Sequence, residues 1–111
     1  MAPDQKFYVG GTTITVKSGK PTTVNAGVQN FGDEDQTNQF SLSIKPGDQG
    51  GSENWFVLPP KISVPVGEKK ATPFIIKLPK GIEPGKTYTF TVTSLKDGQL
   101  YDSQIIIIVV E

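Results

Sequence analysis

The acidic run Asp33-Glu34-Asp35 is the first place in the sequence where neighbouring side chains could hold an ion. Hard cations such as Ca²⁺ prefer several oxygen ligands, which carboxylates and loop carbonyls supply. The spacing is not that of an EF-hand loop, and an acidic run in a polar loop is more often simply hydrated. Calcium binding at Asp33, Glu34 and Asp35 is therefore one hypothesis beside this simpler one, and we expect no other metal and no cofactor.

The residue types that usually perform catalysis are missing. The chain has no Cys and no His, so it lacks a thiol nucleophile, a disulfide and the commonest general base. Serine and threonine are abundant, but no neighbouring base activates them. The acidic residues fall in turns and at strand ends, which does not favour the facing carboxylate pair of a glycosidase. We expect that the protein is not an enzyme.

The charges argue against a nucleic-acid partner. Eleven basic residues, all of them lysine, balance eleven acidic residues, so the net charge is zero. A balanced surface neutralises few phosphates. Without arginine, the usual bidentate contact to guanine is also missing.

Trp55 is the one tryptophan of the chain and a candidate for stacking on a sugar ring. An accessory carbohydrate-binding module would use such a residue. The other aromatic residues alternate along strands as core residues do, so packing of Trp55 between two sheets is the favoured interpretation.

The run Ile105–Val110 differs from every other segment because it is apolar at each position. A strand that is apolar on both faces needs cover on both. Ile106, Ile108 and Val110 suit the core. Ile105, Ile107 and Val109 then meet either another part of the same chain or a partner protein. We therefore name Ile105, Ile107 and Val109 as the candidate protein interface.

The rest of the chain alternates between apolar and polar residues with period two, the pattern of half-buried strands. Turn sequences separate these segments about every ten residues, and Asp97-Gly98 predicts a hairpin. Pro65 lies within one strand and cannot donate to a ladder, so that strand is expected at a sheet edge. Loop 45–53 is glycine-rich and is expected to be mobile. The predicted strands cover 12–17, 22–30, 40–44, 54–58, 61–66, 71–78, 88–94 and 100–110.

This spacing predicts an all-β protein, an antiparallel β-sandwich of seven to eight strands with Greek-key connections. A closed barrel is the alternative. We expect a single domain over residues 1–111, in which residues 1–11 are a flexible lead-in or an edge strand through Phe7 and Val9. The longest apolar run is far shorter than the ~20 residues of a membrane-spanning helix. We expect no insertion of this chain into a membrane.

Several short motifs resemble those of bacterial and archaeal immunoglobulin-like surface modules, including modules appended to glycosidases. The resemblance covers roughly residues 12–110. The matching residues are Val28-Gln29-Asn30-Phe31-Gly32, Trp55, Pro59, Val66-Gly67 and Pro84-Gly85-Lys86-Thr87-Tyr88.

The resemblance implies an immunoglobulin-like fold and a module without catalytic residues. It implies a structural corner formed by Pro84, Gly85 and Tyr88, in which the Tyr88 hydroxyl bonds back to the preceding loop. The disulfide of antibody domains is absent, and apolar contact between Phe90 and Ala26 or Val28 is expected in its place.

Together these observations predict a non-catalytic structural or protein-interaction module of a cell-surface or secreted protein, acting as a spacer or assembly unit. The partner is a protein, including another copy or a neighbouring domain. One alternative is a pilin-like or filament-associated soluble domain without its membrane helix. Another is the carbohydrate-binding module that uses Trp55. A cytosolic sandwich of the major-sperm-protein kind is a more distant option. We expect an extracytoplasmic fragment of a longer exported protein, in preference to a cytosolic one.

Overall fold

The computed structural model describes residues 7–10, 12–30, 39–47 and 50–111. They form two packed β-sheets, apart from a single 3₁₀ turn at Glu53–Trp55. The predicted all-β, immunoglobulin-like sandwich is thus confirmed. The strands are β1 (Phe7–Val9), β2 (Thr13–Val16), β3 (Thr22–Gln29), β4 (Gln39–Pro46), β5 (Phe56–Val57), β6 (Ile62–Ser63), β7 (Lys69–Ile76), β8 (Thr87–Lys96) and β9 (Gln99–Val110).

The first sheet has the order β1-β3-β7-β5, and the second has the order β2-β9-β8-β4-β6. Among consecutive strands of the described residues, only β8 and β9 lie in the same sheet, so the chain crosses repeatedly between layers. Pairing is antiparallel except for β2, which runs parallel to β9. Of the two alternatives predicted for the N-terminal residues, the edge strand is present as β1, which pairs with β3 of the same chain.

The core lies between the sheets and follows the predicted alternation. Ala26, Val28 and Phe90 are completely buried. Aromatic rings fill one end of the core, with the Phe56 and Phe90 ring centroids 4.7 Å apart and nearly perpendicular. Such edge-to-face pairs add to the stabilisation from burial. The largest fully buried side chains are Phe7, Phe40, Phe74, Phe90, Ile76, Leu78, Ile106, Ile108, Val16, Val28, Val64 and Val92.

The predicted hairpin at Asp97-Gly98 joins β8 to β9. Both residues have positive φ, 51° and 84° respectively. A two-residue turn of this kind matches the right-handed twist of the strands that it joins. It starts the longest strand pair among the described residues, and β9 lies between β8 and the edge strand β2 in the larger sheet.

The predicted strand 61–66 is shorter in the structure. β6 contains only Ile62 and Ser63, and it lies at a sheet edge as Pro65 indicated. Beyond it the chain turns, because the Glu68 N–H donates to the Pro65 carbonyl at 3.0 Å. Val66, which alternation placed in the core, is therefore 40% exposed.

Gly51, in loop 45–53, is required by close packing and not by mobility of the loop. A Cβ atom at position 51 would lie 2.6 Å from Cζ of Phe90. The loop therefore presses on the aromatic end of the core, and only a residue without a side chain allows this approach. The expected mobility of the loop stays a prediction.

Candidate protein interface

Strand β9 places the candidate interface on the outer face of the larger sheet. Its alternation buries Ile106, Ile108 and Val110 completely or almost completely. The intervening residues point away from the core. Ile105 is 60% exposed and Ile107 is 39% exposed, while Val109 is half-buried. Large apolar side chains therefore face outward on a strand that pairs with β8 at Ile105 and with both β8 and β2 at Ile107 and Val109.

Threonines flank these residues in register. Thr13 of β2 and Thr89 of β8 lie on either side of Ile107, and Thr15 and Thr87 lie on either side of Val109. Thr91 is opposite Ile105. Facing residues on neighbouring strands share one side of a sheet. The result is a surface of β-branched side chains without charge, which we call the Ile/Thr face. It consists of Thr13, Thr15, Thr87, Thr89, Thr91, Ile105, Ile107 and Val109.

Charges appear only at the borders of the Ile/Thr face within the described residues. Lys17 and Glu111 form an ion pair at one end, with 3.8 Å between the lysine nitrogen and a carboxylate oxygen. Lys45 of β4 follows Thr91 in the same row. A partner that covers the centre of the face would bury no ionised group, which avoids the largest desolvation cost of association.

The predicted corner exists in part. Gly85 has a φ of +90°, and the Lys86 N–H approaches the Glu83 carbonyl at 3.4 Å across the turn. The Gly85 N–H donates to the Val110 carbonyl at 2.7 Å. Pro84 and Gly85 thus connect the entry of β8 to the end of β9 and fix where the Ile/Thr face ends.

The expected role of the Tyr88 hydroxyl is not seen. Within the described residues this hydroxyl makes no hydrogen bond, and the ring instead packs edge-on against Trp55, with 4.9 Å between centroids. Tyr101 makes the comparable bond, because its hydroxyl donates to the Gln29 carbonyl at 2.6 Å. A register shift after Ser94 turns Tyr101 inward, where it ties β9 to β3 of the other sheet.

Trp55 is partly buried at the aromatic end of the sandwich. Besides Tyr88, it contacts Phe90 with 6.0 Å between ring centroids. Its backbone carbonyl accepts a hydrogen bond from the Lys77 N–H at 2.7 Å. These contacts favour the packing interpretation over a sugar-stacking platform.

Asn30 is a structural residue whose role was not predicted. Its side chain is fully buried, and Nδ2 donates to the Val64 carbonyl at 2.7 Å. Oδ1 lies 3.4 Å from Nζ of Lys96. The sequence does indicate that Asn30 is buried, because positions 24, 26, 28 and 30 all lie on the inward side of the alternation that forms β3.

The calcium hypothesis concerns Asp33, Glu34 and Asp35, which lie outside the described residues. Elsewhere, among the described residues, no three acidic side chains come together as metal ligands. The same part of the chain contains no helix that is long and apolar enough to cross a membrane.

Comparison with known proteins identifies the fold and not the family. No protein-family model and no curated protein sequence matches this chain. Solved structures do match. The periplasmic chaperone SfaE superposes with a TM-score of 0.58 and 17% identity over 95% of this chain, which spans 57% of the chaperone's length.

Two further structures show how varied proteins with this fold are. The ASH/PapD-like domain 7 of human CEP192 matches with a TM-score of 0.50 and 13% identity, over 100% of this chain and 89% of that one. A superoxide reductase from Ignicoccus hospitalis matches with a TM-score of 0.55 and 16% identity, over 95% and 79% of the two chains. At these identities the likeness establishes an immunoglobulin-like sandwich fold, and function has to be argued from the residues.

Proposed function

We propose that this domain is a non-catalytic protein-interaction module of a cell-surface or secreted protein, and that its partner docks on the Ile/Thr face. The observation that supports this most is the exposure of Ile105 and Ile107, 60% and 39% respectively, on an interior strand of the larger sheet. Threonines lie on both sides of Ile107, at Thr13 and Thr89, and Thr91 lies opposite Ile105. Exposed apolar residues that lie together on one surface are a usual mark of an interaction site.

The size of the face determines the strength that we expect. Three strands about 4.8 Å apart, followed over about five residues of about 3.4 Å each, cover on the order of 240 Å². A stable interface buries about 800 Å² on each partner. A stable partner must therefore also contact the outward residues of β4, which lie beside β8. Otherwise the association is transient. We expect dissociation constants in the micromolar range or weaker.

Self-association and binding of a different protein are separated by mass. Sedimentation velocity or light scattering over a concentration series reports whether the average mass of the isolated domain rises. A rise that Ile107→Lys abolishes identifies a second copy as the partner and favours the filament-associated variant of this proposal. A constant mass assigns the face to another protein or a neighbouring domain of a longer chain.

The variants need a matched control because a lysine also lowers strand propensity. Leu100→Lys is suitable, since Leu100 is 72% exposed but lies at the β8–β9 hairpin, away from the Ile/Thr face. Ile107→Thr keeps the β-branch and extends the existing threonine rows. Association that persists unchanged in both Ile107 variants would contradict the proposed face.

Placement outside the cytoplasm is part of the proposal. It is supported by similarity in fold to a periplasmic chaperone. Protease treatment of intact cells that express the native protein tests it. Protection of the domain from protease in intact but not in lysed cells, together with its release by cytosolic extraction, would argue for the cytosol instead.

A further inference from the structure

The smaller sheet has an apolar groove of about 380 Å³ on the side of the molecule opposite the Ile/Thr face. Val57 of β5 and Ile75 of β7 lie side by side there, and Thr23 of β3 continues the same row. Val57 is 60% exposed. The volume falls within the range of ~300–1,000 Å³ that is typical of pockets for small ligands and side chains. The groove is bounded by Val57, Pro59, Pro60, Pro73 and Ile75.

The groove exists because β5 ends early. Pro59 and Pro60 take the chain away from β7 after Val57, so the described residues give β7 no strand partner beyond that point on this side. The Lys77 N–H bonds to the Trp55 carbonyl, which shows that odd-numbered residues of β7 direct their backbone groups toward β5. Ala71 and Pro73 therefore face the open edge.

Proline at position 73 limits what can bind at this edge. It has no N–H, so an added strand could form only an interrupted ladder with β7. An occupant must instead gain most of its affinity from side chains in the groove. Three proline rings form much of the wall, and their restricted backbone requires little ordering when a ligand binds.

The lysines near the groove indicate that its ligand is negatively charged. Lys61 directly follows Pro60, and Lys77 is two residues beyond Ile75 on the same face. At the outward positions of β3 and β7, the described residues include Lys69 and no Asp or Glu. The only ion pair between described side chains lies on the other sheet, at Lys17 and Glu111. An apolar groove between lysines complements a segment that alternates apolar and acidic residues.

We propose that this groove is a second docking site, which binds an extended acidic-apolar segment of a partner protein. One or two apolar side chains occupy the groove, and neighbouring carboxylates lie against Lys61 and Lys77. This inference goes beyond the proposed function, because it makes the domain a bridge between two partners on opposite faces. It stands on residues that the Ile/Thr face does not share.

A synthetic peptide tests the site directly. The probe is a fluorescein-labelled peptide of about ten residues that alternates Asp and Leu, titrated with the domain and followed by fluorescence anisotropy. We expect saturable binding that weakens as salt rises, since exposed charges are screened beyond ~10 Å at 0.1 M ionic strength. ¹⁵N–¹H spectra of the domain should show shifts at Val57, Ala71 and Ile75 on addition of the peptide.

Matched peptides separate the two contributions. Replacing each Asp by Asn should weaken binding at least about fivefold, the factor that corresponds to ~1 kcal/mol. Replacing each Leu by Ser should abolish binding, because the groove is then empty. Equal binding of the Asn peptide would overturn the role of the lysines, and equal binding of the Ser peptide would overturn the role of the groove.

Variants of the domain complete the test. Lys61→Glu and Lys77→Glu should each weaken binding of the acidic peptide about fivefold, and Val57→Ser should weaken it without a change in salt dependence. Lys86→Glu is the matched control, because Lys86 lies in the turn before β8 and not at the groove. Ile107→Lys should have no effect. Binding that is unchanged in all three groove variants, or that is detected for vesicles containing anionic phospholipid but not for the peptide, overturns the proposal.

Discussion

Replacement of the buried Asn30 should be one of the most destabilising single changes available in this domain. The Nδ2 of Asn30 donates at 2.7 Å to the carbonyl of Val64, a residue that is itself completely buried. In Asn30→Ala that carbonyl is left without this donor, at a cost of about 1–3 kcal/mol. The cavity that remains adds roughly another 1 kcal/mol.

The expected loss is thus about 2–4 kcal/mol, a large part of the ~5–15 kcal/mol that stabilises a typical domain. Urea unfolding followed by Trp55 fluorescence measures it, since Trp55 is packed against Tyr88 and Phe90 in the folded state. The midpoint should fall while the slope stays constant, because the surface exposed on unfolding does not change. The melting temperature should fall by about 10–20 °C.

Two further variants assign the effect to the hydrogen bond. Asn30→Asp keeps the volume but places an acceptor against the Val64 carbonyl, so it should also be destabilised despite the nearby Lys96. Asn54→Ala makes the same substitution at an exposed residue and should change the stability by less than about 0.5 kcal/mol. If Asn30→Ala is as stable as Asn54→Ala, the reasoning about this buried bond is refuted.

Two other predictions follow from the core. The Ser94 hydroxyl is buried and has no hydrogen-bond partner among the described residues, so Ser94→Ala should be neutral or more stable by up to ~1 kcal/mol in urea unfolding. A loss above about 1 kcal/mol would show that the hydroxyl is bonded in solution. Gly51→Ala should cost about 1–3 kcal/mol, because its Cβ would lie 2.6 Å from Phe90. Phe90→Leu should relieve part of that cost in the double variant, and full additivity would contradict the proposed contact.

Local features of this protein could be predicted from the sequence because each depends on a few neighbouring residues. Period-two alternation placed Ile106, Ile108 and Val110 in the core and Ile105 and Ile107 outside it. This works because consecutive side chains of a strand point to opposite faces wherever the strand lies. The Asp97-Gly98 hairpin and the edge position indicated by Pro65 follow from backbone chemistry in the same way.

The same alternation left two roles undetected. The sequence predicts that the Asn30 side chain points inward. It does not predict that the amide bonds to Val64, a residue more than thirty positions away. Tyr88 was expected to make the hydroxyl bond of the corner, but its ring packs against Trp55, and the Tyr101 hydroxyl bonds to the Gln29 carbonyl of the other sheet. The inward position of Tyr101 depends on a register shift in the β8–β9 pair, and a register depends on both strands together.

The sequence by itself determined that the chain forms alternating strands with one segment that is apolar on both faces, since burial of apolar surface and the two-residue period are properties of each segment alone. Only the tertiary structure decided what surrounds that segment. Parallel pairing of β2 with β9 added the second threonine row to the Ile/Thr face, and the early end of β5 opened the groove beside Pro73. Both depend on contacts between residues far apart in the chain, and no local pattern specifies such contacts.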